Sequence, residues 1–433
     1  MNLLIILSLL TSMLSGVLNK VVPLDSSSLT LVPVILIVVV YLIQLAMNKK
    51  IKSYPLFYLL IYICILLIFI GSFKNGMNIT MIKFAFFYFV IGVLINQLTK
   101  EGISKLYNTV IILTVILSIE VFAIGAMTVA TDGRLLNIRH QLMLDKQAYN
   151  IMYNFAIPIL FWNLCYSRKI RDALLLMFFS ITGLYFLQIK TLLLSIPISL
   201  LVIAWMLKPV SRKSLMTICA SIVIVSIGVL NVFPQYIPDQ IRIVTNYILG
   251  KEQQVTSDSL VYADTVVVRE KIIENAKRLF QENMWLGIGY GNYGETVEGI
   301  TVYSIARSNV VYQIPTVTEN GIITFLVEGG LLAALVHLSL YAIILWKLRG
   351  RTSRDKTVLI GLTISFALFV SNFVQDNLNY SYWFSLALGL FLAKEVERTQ
   401  SLRSSLSGDG NKIHSVEPFQ SLPLSERGRA SLT

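Results

Sequence analysis

The sequence predicts an all-helical polytopic membrane protein with about twelve transmembrane helices and one large extracytoplasmic loop that itself contains helices. Three observations lead there. Of 433 residues, 55% are hydrophobic and only 14% charged, where a soluble domain carries roughly 25% charged residues. Apolar runs of about 17 to 25 residues, enough to cross ~30 Å of hydrocarbon, recur along the chain. One long polar stretch, 234–317, interrupts them.

The runs fall near 3–18, 28–47, 55–73, 77–97, 107–129, 148–166, 173–189, 191–207, 214–233, 320–346, 357–373 and 380–394. The seventh and eighth are separated only by Gln188 and Lys190. As one helix, 173–207 would be far too long for the bilayer at ~1.5 Å per residue. The flanking "SRKIR" and "KPVSRK" are both strongly basic and belong on one side, which requires two spans. The first run lacks a basic start and reads as a retained span, not a cleaved signal.

With the N-terminus inside, the short cytoplasmic connections hold Lys49, Lys50, Lys52, Lys100, Lys105, Arg168, Lys169, Arg171, Lys208, Arg212, Lys213, Lys347, Arg349, Arg351, Arg354 and Lys356. The outer ones hold only Lys20, Lys74, Arg134, Arg139, Lys146 and Lys190. This asymmetry sets the orientation, with both termini cytoplasmic. It also accounts for most of the net charge of +12, so nucleic acid is not an expected partner. The chain divides into nine spans over 1–233, the large loop 234–317, three spans within 318–396, and a Ser-rich tail, 397–433, expected to be disordered in the cytoplasm.

Cys64, Cys165 and Cys219 lie in or beside apolar runs without C-x-x-C spacing, and His140, His337 and His414 are scattered, so neither a disulfide framework nor a metal site is expected. The loop 234–317 carries seven basic and nine acidic residues. It is therefore no general anion-attracting surface, and any anion must be held by particular arginines.

Within that loop, "DTVVVREKIIENAKRLFQEN" predicts a helix capped at Asp264 or Thr265, with Ile272, Ile273, Ala276, Leu279 and Phe280 at helical spacing. Arg269 falls on this stripe and in the first turn, where a cation opposes the helix dipole. Either an anionic ligand or a buried acidic partner accounts for it. Arg278, four residues from Glu274 and Glu282, reads as a solvated surface pair. The segment "GYGNYG" spells G-x-G-x-x-G, but it follows a helix, whereas a dinucleotide loop follows a strand. Its glycines, Gly289 and Gly291 among them, predict a tight turn needing close approach or positive φ.

Arg134, Arg139 and His140 stand in "TDGRLLNIRHQLMLDKQ", an outer loop where cations are disfavoured. Lys190 sits at a hairpin tip, where it either snorkels to the interface or meets a ligand. Lys83 and Glu120 lie at similar depth and are expected to pair. His337, mid-span, reads as a satisfied core residue. Glu319 and Asn320 stand where the chain re-enters the membrane. Glu319 is either a general base or a helix-start acid favoured by the dipole. Glu328 follows, just before Gly329-Gly330.

The pieces "DGRLLNIRHQ", "QIKTLLLS", "VVVREKIIENAKRLFQENMWLGIGYGNYG" and "TENGIITFLVEGG", in this order, resemble the O-antigen ligase and polymerase superfamily of bacterial membrane glycosyltransferases over roughly residues 30–395. The resemblance implies a GT-C-like layout in the cytoplasmic (inner) membrane. Its substrate would be a glycan on undecaprenyl diphosphate, moved to an acceptor hydroxyl at the outer face with the lipid diphosphate leaving. A diphosphate leaving group gathers negative charge in the transition state, and fixed arginines can stabilise it without a metal or other cofactor. Membrane lipid is implied as a partner, and a chain-length regulator from the resemblance only. By motif match Arg269 and Lys190 meet the diphosphate, with Arg134 and Arg139 as further contacts and Glu319 as base. His140, Arg278, Gly289, Gly291 and Asn320 complete the substrate-binding candidates. Ligases of the superfamily usually show His where Glu319 stands, which favours polymerisation over ligation to lipid A-core; a lipid-linked oligosaccharide transporter is the reading from another class.

Overall fold

In a bilayer the backbone must satisfy its own hydrogen bonds, so apolar runs become helices. The computed structural model describes residues 2–13, 26–47, 55–75, 78–132, 138–142, 144, 146–167, 169–187, 189, 191–207, 257–297, 301–303, 311–313, 320–373, 378 and 380–408. Among these, α1 is Asn2–Met13, α2 Ser26–Ala46, α3 Pro55–Asn75, α4 Ile79–Gln97, α5 Lys100–Asp132, α6 Lys146–Ser167, α7 Ile170–Ser180 and α8 Thr191–Leu207. They continue as α9 Ser257–Glu282, α10 Tyr293–Val297, α11 Gly321–Leu348, α12 Lys356–Ser371 and α13 Tyr380–Gly408. The expected run 214–233 lies outside the described residues.

Among the described residues, four helices are long and apolar enough to cross a membrane: Pro55–Phe73, Ile79–Gln97, Lys100–Thr131 and Gly321–Leu348. Val32–Ala46, Thr191–Leu207 and Lys356–Ser371 are shorter apolar helices. The fold is all-helical in class, with one small addition: Thr301–Tyr303 (β1) and Val311–Gln313 (β2) pair antiparallel in a two-stranded ribbon. Order does not end at 397. α13 runs on to Gly408, because "KEVERTQSLRSSLS" contains no helix breaker before that glycine.

The main core gathers around Trp383, fully buried at the junction of α4, α11 and α13. Phe84, Phe87, Tyr88, Phe325, His337 and Tyr382 surround its ring with centroids 4.8–6.0 Å away. His337 is satisfied, as its sequence context suggests: Nδ1 meets Tyr88 Oη at 2.7 Å and Nε2 meets Tyr382 Oη at 2.6 Å. Lys83 and Glu120 form no ion pair with each other; Glu120 instead accepts from Tyr149 Oη at 2.7 Å.

The expected span 320–346 is not one straight helix. Gly330 has φ 72° and ψ 177°, which breaks α11 into a short arm 321–329 and a long arm 331–348. The Phe325 ring stacks on the His337 ring at 4.2 Å. Twelve residues of straight helix would hold them ~18 Å apart, so the short arm folds back along the long one. The long arm, ~27 Å at 1.5 Å per residue, covers most of the ~30 Å of hydrocarbon.

Candidate functional site

α9 begins at Ser257, not at Asp264 or Thr265. Arg269 therefore lies more than three turns inside the helix, where the dipole no longer opposes it. Nor is it buried. The buried stripe is Ile272, Asn275, Ala276 and Leu279, and Arg269 is exposed with Ile273 one turn further on. Because 272 and 273 are adjacent, an apolar pattern containing both places the buried face one position too wide. Arg278 is exposed and donates from Nη2 to Asn275 Oδ1 at 2.8 Å. Its expected surface partner Glu274 is instead bonded to Lys271 at 2.7 Å, and that bond holds the Glu274 carboxyl below the usual carboxylate range.

The glycine segment after α9 fills the break in α11. Ile288 N–H donates to Val327 O at 2.9 Å and Gly289 N–H to Glu328 O at 2.9 Å. In return Leu331 N–H donates to Met284 O at 2.8 Å and Leu332 N–H to Trp285 O at 3.3 Å. The break would otherwise leave two carbonyls and two amides of an apolar helix unpaired, a cost of several kcal/mol per group in lipid. Gly287 and Gly330 have φ of 69° and 72°, and a Cβ on either would overlap the backbone of the other strand of this joint. Gly289 and Gly291 both have φ of 87°. A Cβ on Gly291 would run into Thr80 and Asn78 at the start of α4, and Gly291 O accepts from Asn78 Nδ2 at 3.2 Å. The tight backbone turn expected of "GYGNYG" is thus present. The Ile288 and Gly289 amides, which a phosphate loop would aim at a ligand, are committed to α11.

A second apolar cluster stands apart from the main core. Ile272, Ala276 and Leu279 of α9, Ile288, Tyr293 and Val297 of the glycine segment and α10, and Val327 of the short arm are buried together, with Val268, Phe280 and Ile323 packed against them. Glu328, 6% exposed, sits at the joint, and its Oε1 accepts from Tyr293 N–H at 3.4 Å.

Asn320 caps the short arm. Its Oδ1 accepts from Ile322 N and Ile323 N, and its Nδ2 donates to Phe373 O at 2.6 Å. Ile322 N–H also donates to Asn372 O at 3.4 Å. From the same end of α12, Ser371 Oγ accepts from Asn150 Nδ2 at 3.4 Å, and Asn150 Oδ1 accepts from Thr191 Oγ1 at 2.7 Å. The ladder continues inward, with Asn154 Nδ2 donating to Asn150 Oδ1 at 2.9 Å and Ser195 Oγ to Asn154 Oδ1 at 2.7 Å. The neighbours of Lys190 and Glu319, Thr191 and Asn320, are thereby tied to one helix end. Lys190, Glu319 and Arg134 themselves lie outside the described residues, as do the side chains of Arg139 and His140, whose backbones form part of a 3-10 turn, Ile138–Gln141. Sequence reasoning missed Asn150, Asn154, Thr191, Ser195 and Ser371. The available signal was polar residues four apart on apolar helices.

A helical membrane protein whose Arg-bearing helix α9 is stitched into a broken apolar helix is what the structure defines. Residues 175–338 match the family model described as O-antigen ligase, a span that includes α9, the glycine segment, Lys190, Glu319 and Glu328. The match supports the O-antigen ligase and polymerase superfamily, a family of glycosyltransferase-like enzymes for which a lipid-linked oligosaccharide substrate is implied. No curated protein matches the chain.

Proposed function

We propose that the protein is a polysaccharide polymerase. It joins repeat units carried on undecaprenyl diphosphate at the outer face of the cytoplasmic membrane, in a twelve-span topology with 234–317 outside. The observation that carries the reading is the matched segment 175–338, in which exposed Arg269 stands on a helix fixed to the same arm of α11 that Asn320 caps. In the reaction the acceptor hydroxyl oxygen bonds to the anomeric carbon of the donor glycan as the bond to the diphosphate oxygen breaks. Glu319 takes the hydroxyl proton, and Arg269 with Lys190 stabilises the charge left on the diphosphate. Arg134 and Arg139 add further contacts.

The description of the matched family favours one other reading, ligation of the glycan to lipid A-core. Purified full-length protein given lipid-linked repeat units alone separates the two. A ladder of polymer is expected. Transfer only when lipid A-core is added would establish ligation in its place, and no transfer in either case would overturn both. Glu319→Gln is expected to reduce the rate strongly, and a near-wild-type rate would remove it as the base.

A further inference from the structure

The short arm of α11 does not pack as the top of a membrane span. It contributes Ile323 and Val327 to the small cluster under α9, bonds to the glycine segment through its last carbonyls, and folds back at Gly330. Arm, glycine segment, α9 and α10 therefore meet in one module, joined to the bundle at the break and by Phe325 and Tyr290, which pack into the main core. Glu328 is the last residue before the two glycines of that break and is bonded to the module twice. Its carbonyl holds Gly289 N–H at 2.9 Å, and its carboxylate, buried to 6% exposure, receives the amide of Tyr293, the first residue of α10. Against its neighbour Gly329 lies the phenol of Tyr290, close enough that any Cβ there would collide with it.

We propose that Glu328 is a positioning residue. From the break in α11 it clamps the glycine segment and α10, and so fixes Arg269 on α9 relative to the Asn320 end of the short arm. The bond to the Tyr293 amide needs an oxygen acceptor at the length of a glutamate side chain and does not itself need the charge. A carboxylate on the reacting atoms would need the charge or the proton. Two groups that must face one substrate from two different elements require such a tie, since a misplacement of ~1 Å can cost about 100-fold in rate.

This inference rests on the proposed site at Arg269 and Glu319, and the test separates the two. Full-length protein in detergent is compared as wild type, Glu328→Gln, Glu328→Asp and Glu328→Met, by steady-state transfer from lipid-linked repeat units and by hydrogen exchange of residues 284–297. Glutamine keeps the acceptor at its reach and is expected to give near-wild-type kcat and protection. Aspartate keeps the charge but withdraws the oxygen. Methionine keeps the volume and has no oxygen acceptor. Both are expected to lose protection in 284–297 and to lower kcat, methionine by about 100-fold, with KM for the donor little changed. Glutamine as inactive as methionine would overturn the assignment and make Glu328 a group that acts by charge or proton. So would aspartate or methionine with wild-type exchange. Should the wild type turn over no lipid-linked donor, the proposed function fails, yet the exchange comparison still decides whether Glu328 holds the segment.

Discussion

The two clusters of buried side chains hold their parts of the molecule by different means. Around Trp383 the bundle packs ring on ring, and its buried histidine has a partner on each nitrogen. The module under α9 has seven buried apolar residues and relies on the backbone bonds between the glycine segment and α11. Buried polar atoms without a hydrogen-bond partner among the described residues occur in both regions: Asn275 Nδ2 and Tyr293 Oη in the module, and Tyr290 Oη, Tyr341 Oη, Ser365 Oγ and Trp383 Nε1 in the bundle core. Apolar packing yields gradually to substitution, whereas a joint made of a few backbone bonds through positive-φ glycines has nothing to replace them. The bundle is built for stability and the module for placement. Substitutions in the two regions should accordingly differ in kind: the module loses activity or the integrity of its joint, and the bundle loses stability without a change at the site.

The largest effect that can break this comparison is Arg269→Ala. Arg269 is exposed on α9, where a polar contact is worth about 0–1 kcal/mol, so its removal should shift the melting temperature of the purified protein only slightly. Transfer from lipid-linked donor should fall by about 10²- to 10³-fold, the loss usual for one electrostatic group at a transition state. Normal polymer ladders would remove Arg269 from the site. Gly330→Ala comes next. Positive φ costs an L-residue about 1–2 kcal/mol, and the added Cβ overlaps Gly287 N and Trp285 O, an overpacking cost of about 1–3 kcal/mol. The expected result is a lowered melting temperature together with loss of protection in 284–297. Unchanged exchange there would mean that the break does not depend on glycine.

Much of this architecture is legible in the sequence, and the failures have physical causes. Apolar length is enough to place helices, because each run must satisfy its backbone internally. It does not reveal a bend: Gly329-Gly330 within "FLVEGGLLAALV" has the composition of an ordinary membrane helix, and only contact with the distant glycine segment makes Gly330 a break. The turn chemistry of "GYGNYG" is legible because positive φ is a local property; its partner is not. Periodicity puts Arg269 on the buried stripe because it cannot decide whether Ile272 or Ile273 marks the edge. Asp264 and Thr265 look like caps and put it in the first turn, although Ser257 begins the helix earlier. The hydrogen-bond ladder through Asn150 joins three helices far apart in sequence, and no single segment shows it.

Two smaller effects sharpen the contrast from the bundle side. His337→Phe keeps an aromatic ring against Phe325 but removes the imidazole bonded to the hydroxyls of Tyr88 and Tyr382. Each hydrogen bond lost costs about 0.5–1.5 kcal/mol, so the melting temperature should fall while the donor KM stays as in the wild type. A changed KM would connect the aromatic cage to the site. The smallest effect belongs to the surface of the module. The exposed Lys271–Glu274 pair depresses the carboxyl's pKa. A group whose folded pKa is depressed contributes stability above its unfolded pKa, and that contribution is lost as pH falls through the folded value. Between neutral pH and the acid side of the carboxylate range, wild type should therefore lose slightly more stability than Lys271→Ala. Added salt should erase the difference, since the pair lies in water. A difference that persists in high salt would mean that this face of α9 is covered, and that the module has a partner on the side away from α11.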